Sequence, residues 1–486
     1  MEENIKAKAF TSVIWKFLER FFAQAVSFVI SIVLARILNP SDYSVVSVVL
    51  IFFTFSNVLI SGGLNTAIIQ KKDADEEDYS TVLYICVLLS LEIYAILFFT
   101  APLIAKAYEH SELTLMIRIM GLALPINAIK SIWCAYVSSN LMFKKFFFST
   151  LAGIISSGVL GLILAFNGAG AWALIAQQMS NVVIDTFVLV ITTKIKIIPR
   201  ISLNKLKGLW SYGWKVLTSS VLGTIYTQIT PLVIGLKFTT DDLAFYTRGR
   251  SFPELISSTS TNTLSAVLFP VLSKYQESKE KLLQYTRLYI KLASYIAFPL
   301  MMGLFAVADK FVIVLLTEKW LLAVPFIRIF CLAHMFDMIA SGNCETIKAM
   351  GRSDIFLVME IIKKTGYFIT IALFLVLGDS AIGLSISYIV CAGIALIVNS
   401  IPNKKLIGYS YSMQLKDLVP NLVISCIMAL IVALIGLVQI NPFICIVLQV
   451  MSGGLLYFLL SFISKNKAFA YFIDILKNFL KNRRIA

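Results

Sequence analysis

The segment Ser12–Gln70 opens with SVIWKFLERFFAQAVSFVISIVLARILNPSDYS, residues 12–44, and a related segment returns about 200 residues later. The second copy, SYGWKVLTSSVLGTIYTQITPLVIGLKFTTDDLA, covers residues 211–244. Lys16 aligns with Lys215, and the polar turn at Asn39–Tyr43 aligns with Thr239–Leu243. In both copies a long apolar segment runs to a short acidic turn and then returns. This pattern indicates a duplicated helical bundle.

A shorter repeat supports the same duplication. The segment IRIMGLALPINAI from Ile117 resembles IRIFCLAHMFDMI from Ile327. Arg118 then corresponds to Arg328, and Asn127 corresponds to Asp337. Parallel repeats of several apolar helices are typical of transporters, in which the substrate path lies between the two lobes.

The composition places the chain in a membrane. Of its 486 residues, 58% are hydrophobic and 14% are charged, whereas soluble domains carry about 25% charged residues. We predict an all-α polytopic protein with about 14 transmembrane helices, because apolar runs long enough to cross a bilayer recur from end to end. The predicted spans are about 10–36, 43–68, 80–104, 112–137, 147–166, 171–193, 210–236, 245–271, 284–308, 322–348, 355–377, 380–400, 418–438 and 442–463.

The spans group into two pseudo-symmetric six-helix lobes followed by two extra helices. The N-terminal lobe is predicted over residues 1–200 and the C-terminal lobe over residues 201–405. The extra pair then occupies residues 406–464. Residues 465–486, which alternate apolar and basic residues, are predicted to form a cytoplasmic amphipathic tail.

The net charge of +15 reflects topology and not nucleic-acid binding, because the basic residues lie mainly in the connectors of one side. By the positive-inside rule this asymmetry places both termini in the cytoplasm. No cleavable signal peptide is apparent at the N-terminus. The basic residues of that side are Lys71, Lys72, Lys144, Lys145, Lys194, Lys196, Arg200, Lys205, Lys207, Lys274, Lys279, Lys281, Arg352, Lys404, Lys405 and those of the tail.

The sequence offers little for metal or nucleophilic chemistry. Its seven cysteines are scattered singly through apolar segments, without the spacing of a metal or redox site. Its two histidines, His110 and His334, lie in a predicted outer connector and in the middle of a span. We therefore expect no metal site, no catalytic centre and no cofactor. The chain also lacks a nucleotide-binding motif, which argues against ATP coupling.

Charged residues inside the spans are the candidate site. Ionisable side chains at membrane depth usually face a cavity or a partner, although those near helix ends can extend to the headgroups instead. Lys and Arg suit an anionic substrate, because charge-assisted hydrogen bonds strengthen where water is scarce. The candidates form an inner tier, Lys16, Arg20, Lys130 and Lys215, and an outer tier, Arg118, Arg248 and Arg328.

In its ordered series of stretches the chain resembles the polysaccharide flippases of the MOP exporter superfamily, the Wzx/WzxC-type group. The carrying stretches are LARILNPSDYS, SGGLNTAIIQKKDADEEDYSTVLY, NGAGAWALIA, LAFYTRGRSFPEL, LFPVLSKYQ, TEKWLLAVPFIRI and KAMGRSD. They run in order through most of residues 10–400.

The resemblance implies the MATE/MOP-like fold and a central cavity that alternates between the two faces of the membrane. The implied substrate is an undecaprenyl-diphosphate-linked oligosaccharide repeat unit, moved from the inner to the outer leaflet of the bacterial cytoplasmic membrane for cell-surface polysaccharide biosynthesis. In related lipid II flippases cationic residues of helices 1, 2 and 8 line the cavity. The matching positions here are Arg20, neutral Asn57 and Arg248.

The energy source stays open between a proton gradient, a sodium gradient and no coupling at all. Candidates for a coupling or polar cavity role are Asn57, Asp185, Asp337 and Glu345. Expected partners are the lipid-linked glycan and membrane lipids, and candidates beyond these are the polysaccharide polymerase and chain-length machinery.

Three other hypotheses stand beside the flippase hypothesis. A multidrug-type antiporter of the same superfamily would use a small cation as substrate, for which so many basic candidates are unsuited. A glycan polymerase or glycosyltransferase usually needs a larger extramembrane loop than this chain provides. A receptor or scaffold role has no soluble domain to support it.

Overall fold

A computed structural model describes residues 2–71, 73–378, 380–471 and 473 of the chain. Within these residues the regular structure is helical throughout. The α-helices are α1 Glu2–Ile37, α2 Pro40–Ser61, α3 Leu64–Gln70, α4 Glu76–Ala107, α5 Leu113–Gly121, α6 Ala123–Ser139, α7 Phe143–Phe166, α8 Ala171–Thr192, α9 Leu203–Lys237, α10 Thr240–Lys274, α11 Lys279–Leu316, α12 Val324–His334, α13 Asp337–Ala349, α14 Ser353–Leu377, α15 Ala381–Ile407, α16 Tyr411–Ile435 and α17 Pro442–Ile463. A short 3-10 segment, Glu318–Ala323, precedes α12.

The predicted all-α polytopic class is confirmed. Across the described residues, 13 helical segments are long and apolar enough to cross a membrane. The remaining predicted span, 355–377, is the 25-residue helix α14. Its first half carries Glu360, Lys363 and Lys364. These charges distinguish the helix from the 13 segments.

Helix contacts divide the chain into two compact units, residues 1–244 and 245–486. The predicted lobes at 1–200 and 201–405 and the terminal pair at 406–464 remain predictions. Most of the predicted tail, residues 472 and 474–486, lies outside the described residues.

In the first unit α7 packs against α8 and α1, α4 packs against α5 and α6, and α9 packs against α2 and α3. The last of these crossings is very close at Gly63, which lies in the break between α2 and α3. A Cβ on Gly63 would lie 2.4 Å from the carbonyl oxygen of Gly213 on α9. Small residues allow membrane helices to approach this closely.

In the second unit the long helix α11 packs against α12, α13, α16 and α17. The Asp417 carboxylate of α16 accepts two hydrogen bonds from Arg287 of α11, at 2.8 and 2.9 Å. Lys291 of α11 lies 3.1 Å from the same carboxylate, and the Tyr409 hydroxyl donates to it at 3.0 Å. Because Asp417 is buried, this network attaches α16, the first of the two extra helices, firmly to α11.

The repeated acidic turn has the same local structure in both copies. The backbone N–H of Asn39 donates to the Asp42 carboxylate at 2.8 Å before α2. The backbone N–H of Thr239 donates to Asp242 at 3.2 Å before α10. Each carboxylate thus satisfies a donor that would otherwise be unpaired at a helix start.

A second shared feature is a broken span. The predicted span 112–137 consists of α5 and α6, separated at Leu122, and the predicted span 322–348 consists of α12 and α13, separated at Met335 and Phe336. Leu122 aligns with Leu332, so the second break lies about one helical turn further along its copy of the repeat, and both copies contain an interrupted helix in the same segment.

Candidate functional site

Lys130 and Asp185 join two helices of the first unit through an ion pair. The Lys130 Nζ on α6 lies 2.6 Å from an Asp185 oxygen on α8, and the Asp185 side chain is 7% exposed. Gly153 of α7 makes room for this carboxylate, since a Cβ there would lie 2.8 Å from the Asp185 Cβ. The predicted inner cation at 130 and the predicted coupling acid at 185 are therefore partners.

Lys16 also has a carboxylate partner. Its Nζ lies 2.8 Å from Glu19 and 4.9 Å from the centroid of the Phe146 ring. Two of the four inner candidates are thus neutralised in this structure.

Arg20 and Lys215 are different, because both side chains are exposed. Neither forms an ion pair within the part of the chain that the structure describes. Arg20 lies one helical turn beyond Lys16 on α1, and Lys215 lies on α9 at the repeat position of Lys16. These two cations have charge available for an anionic ligand.

Arg118 and Arg328, which correspond in the repeat, bind in the same way within their own units. The Nε of Arg118 donates to the carbonyl of Phe98 at 3.2 Å, and its guanidinium lies 4.1 Å from the centroid of the Phe98 ring. The Nε of Arg328 donates to the carbonyl of Phe305 at 3.4 Å, with 5.6 Å to that ring. Arg328 also forms an ion pair with Asp309. Both outer arginines are therefore held by aromatic residues.

Arg248 lies in a third cation–aromatic arrangement. Its guanidinium is 5.4 Å from the centroid of Phe252 and 5.8 Å from that of Trp320. Its neighbour Arg250 pairs with Glu254 at 3.0 Å, as helical spacing predicts. An aromatic ring can hold a guanidinium group in place through its face, and the N–H groups at the edge of the guanidinium can still donate hydrogen bonds.

The remaining candidates are polar groups on the broken spans. Asn127 donates to Asn57 of α2 at 3.2 Å. At the corresponding place in the second unit, Ser257 of α10 donates to Asp337 at 2.8 Å. Glu345 pairs with Lys348 on α13 at 3.0 Å. The repeat thus preserves a helix–helix contact while the chemistry of the contact changes.

Three tyrosines in the second unit form a group that was not predicted from the sequence. The hydroxyls of Tyr246 and Tyr388 lie 3.0 Å apart, and those of Tyr388 and Tyr367 also lie 3.0 Å apart. Arg250 reaches both Tyr246 and Tyr388 at 3.5 Å. These residues come from α10, α14 and α15, so no local sequence pattern indicated the cluster.

The fold resembles that of a solved lipid transporter. The lipid II flippase MurJ in an inward closed conformation superposes with a TM-score of 0.77, covering 96% of this chain and 100% of MurJ, at 16% identity. At this identity the likeness establishes the fold alone. The fold and the long apolar helices together define a multi-pass membrane protein with a MurJ-like fold.

Residues 33–325 match the family model described as polysaccharide biosynthesis protein, and the chain belongs to this family. An uncharacterised membrane protein in the cps region of Klebsiella pneumoniae is 24% identical over 489 residues, covering 96% of this chain and 97% of that protein. The succinoglycan biosynthesis transport protein ExoT of Rhizobium meliloti (strain 1021) is 24% identical over 426 residues, covering 87% and 83%. These comparisons confirm the resemblance to polysaccharide flippases and the expectation of a transport protein and not an enzyme.

Proposed function

We propose that this protein is a flippase for undecaprenyl-diphosphate-linked oligosaccharide repeat units. It moves them from the inner to the outer leaflet of the bacterial cytoplasmic membrane by alternating access, for cell-surface polysaccharide biosynthesis. Family membership supports the biosynthetic context. The observation that carries the substrate class is the pair of exposed cations, Arg20 and Lys215, in helices long and apolar enough to cross a membrane.

The chemistry of such a substrate fits these cations. A diphosphate must cross the apolar core with its charge compensated, whereas a polyprenyl chain can remain in the lipid. An arginine can bind a phosphate through two parallel N–H groups, and a lysine supplies a point charge. Exposed cations without carboxylate partners can bind the diphosphate without first breaking an ion pair.

The paired cations have a complementary role in this proposal. Lys16 and Lys130 are neutralised by Glu19 and Asp185, which lowers the cost of keeping them charged in the membrane while no substrate is bound. An arriving diphosphate competes for the same ammonium groups. The full proposed set is Lys16, Arg20, Lys130 and Lys215 on the predicted inner side and Arg118, Arg248 and Arg328 on the predicted outer side.

The test is leaflet transfer of a synthetic undecaprenyl-diphosphate oligosaccharide in proteoliposomes. Arg20→Gln removes the charge and keeps a long polar side chain, and Lys404→Gln is the matched control, because Lys404 is an exposed cation in the last turn of α15. Losing a charge-assisted hydrogen bond costs about 1.5–3 kcal/mol, so we expect Arg20→Gln to slow transfer by roughly tenfold or more. The control should transfer at the wild-type rate.

Two results would contradict the proposal at different levels. Equal transfer by wild type and Arg20→Gln would remove Arg20 from the substrate path. Wild-type protein that transfers no glycan lipid from a panel of neutral and acidic repeat units, but exchanges small organic cations, would favour the antiporter. The polymerase and chain-length machinery remain proposed partners, to be sought by crosslinking in membranes.

A further inference from the structure

His334 and Asp337 lie on either side of the break between α12 and α13. The His334 Nδ1 is 2.7 Å from an Asp337 oxygen, and the Ser257 hydroxyl donates to the same oxygen at 2.8 Å. The His334 side chain is 14% exposed and the Asp337 side chain 44% exposed. We propose that His334 and Asp337 form a proton-binding site whose occupancy is coupled to transport. The coupling part of this proposal rests on the proposed function.

The internal repeat shows that this site is an addition to a shared scaffold. In the first unit the corresponding contact between α2 and α6 is a hydrogen bond between Asn57 and Asn127, and neither group titrates. In the second unit the contact joins Ser257 of α10 to Asp337, and His334 forms an additional hydrogen bond with Asp337. The neutral Asn57–Asn127 pair shows that a helix–helix contact at this place does not need titratable groups. We therefore assign the titratable groups of the second unit to proton binding.

The hydrogen bonds indicate which form of His334 is present. The Nε2 atom is buried and has no hydrogen-bond partner among the described residues. A proton on Nε2 would leave a buried donor unsatisfied, whereas a proton on Nδ1 is donated to Asp337. The arrangement therefore corresponds to neutral imidazole with Nδ1 protonated. A second proton adds to the Nε2 lone pair, and the resulting imidazolium stays bonded to the Asp337 carboxylate.

Protonation therefore favours a change of structure at the break. The new N–H on Nε2 requires an acceptor that the described residues do not provide in this conformation, so the protonated state is stabilised by an arrangement that supplies one. A ligand that binds one of two conformations better shifts the balance towards it. A proton bound at His334 acts as such a ligand.

The titratable groups around His334 are few and identifiable. On its own helix Phe330 lies parallel to the imidazole at 5.8 Å and separates it from Tyr388 of α15. Tyr388 in turn contacts Tyr246 and Arg250 of α10, and Arg250 is neutralised by Glu254. From α11, Phe298 faces the break through Phe336. Two titratable groups of α11 contact α12 and α13: Asp309, which pairs with Arg328, and Tyr289, which packs against Gly342. Asp337 is the acid that contacts His334 directly.

A proton fits this site better than a metal ion. Hard cations prefer several oxygen ligands, and the contacts here offer the Asp337 carboxylate and the Ser257 hydroxyl. Among the described residues no group of three His, Cys, Asp or Glu side chains could hold a metal ion. Imidazole also changes charge between about pH 5 and pH 8, which suits a physiological proton site.

The chain allows a direct test, because it contains two histidines. In a His110→Gln background, purified by a tag without histidine and placed in nanodiscs, nitrogen-15 histidine NMR observes His334 alone. We expect Nδ1-protonated neutral imidazole at high pH that converts to imidazolium as the pH falls. Asp337→Asn should change the tautomer or the pH of conversion. In protein that retains His110, loss of one signal in His334→Gln assigns the resonance independently.

Transport then tests the coupling. With undecaprenyl-diphosphate oligosaccharide as the probe, an imposed pH gradient should change the wild-type transfer rate, and in His334→Gln and Asp337→Asn the ratio of rates with and without the gradient should fall to about one. Asp354→Asn, which alters an exposed pair with Arg352, should keep the wild-type ratio. A His334 signal that does not change between about pH 5 and pH 8 would overturn the proton site. If His334 titrates but the ratio of transfer rates with and without the gradient is the same in His334→Gln and Asp337→Asn as in wild type, the coupling is overturned.

Discussion

Lys130 and Asp185 connect α6 to α8 through an ion pair in which the carboxylate is almost completely buried. Lys130→Ala should destabilise the protein by about 3 kcal/mol, because it leaves a buried charge without its partner. Lys130→Ala combined with Asp185→Ala removes both charges and should be more stable than Lys130→Ala. Thermal unfolding in one detergent measures wild type, the single variants Lys130→Ala and Asp185→Ala, and the double variant. Strictly additive losses from the two substitutions would show that the pair does not stabilise the first unit.

The close approach of Gly63 to α9 gives a matched pair of substitutions. Gly63→Ala places a methyl group 2.4 Å from the Gly213 carbonyl oxygen, whereas Gly213→Ala places one 3.4 Å from Gly63, an ordinary contact. We expect Gly63→Ala to lower the unfolding temperature and the yield of folded protein, because overpacking of this kind costs about 1–3 kcal/mol. Gly213→Ala should behave like wild type. Equal effects of the two would indicate that the helices separate easily at this crossing.

Asp75, which precedes α4, gives stability a defined pH dependence. The Lys205 ammonium and the backbone N–H of Asp78 bind its carboxylate and hold its pKa below the ordinary value of 3.8. Because the folded state favours the ionised form, the stabilisation is complete above about pH 4 and is lost as the pH falls further. Its size is less than about 1 kcal/mol, since the side chain is 57% exposed.

Unfolding of wild type and Asp75→Asn across acidic pH measures this contribution. Asparagine still caps the helix, so the comparison isolates the carboxylate charge. Wild type should be the more stable protein at neutral pH, and the difference should shrink below about pH 4. Asp73→Asn, at an exposed acid in the same connector, should show no such narrowing. A difference between wild type and Asp75→Asn that is constant with pH would contradict the assignment.

The sequence predicts those features that depend on chain order and helical spacing. Pairs three or four residues apart, such as Lys16–Glu19 and Arg250–Glu254, follow from the helix period. The correspondence of Arg118 with Arg328 follows from the repeat, and each arginine indeed binds a phenylalanine carbonyl. These relationships need no knowledge of how distant helices pack.

Contacts between distant helices could not be predicted in this way. Lys130 and Asp185 were predicted separately from the sequence, as a candidate cation and a candidate acid. Their ion pair could not be predicted, because it depends on which face of α6 packs against α8. The hydrogen bonds among Tyr246, Tyr367 and Tyr388 depend on three helices at once.

The Asp417 network has a consequence for the length of the chain. A protein ending at Ile407 would keep Arg287 and Lys291 on α11 but lose the carboxylate that both contact. Both cations would then lose the buried carboxylate that binds them, at a cost of several kcal/mol. Deletion of the last two helices should therefore lower the stability of the second unit, because α11 is built to pair with α16.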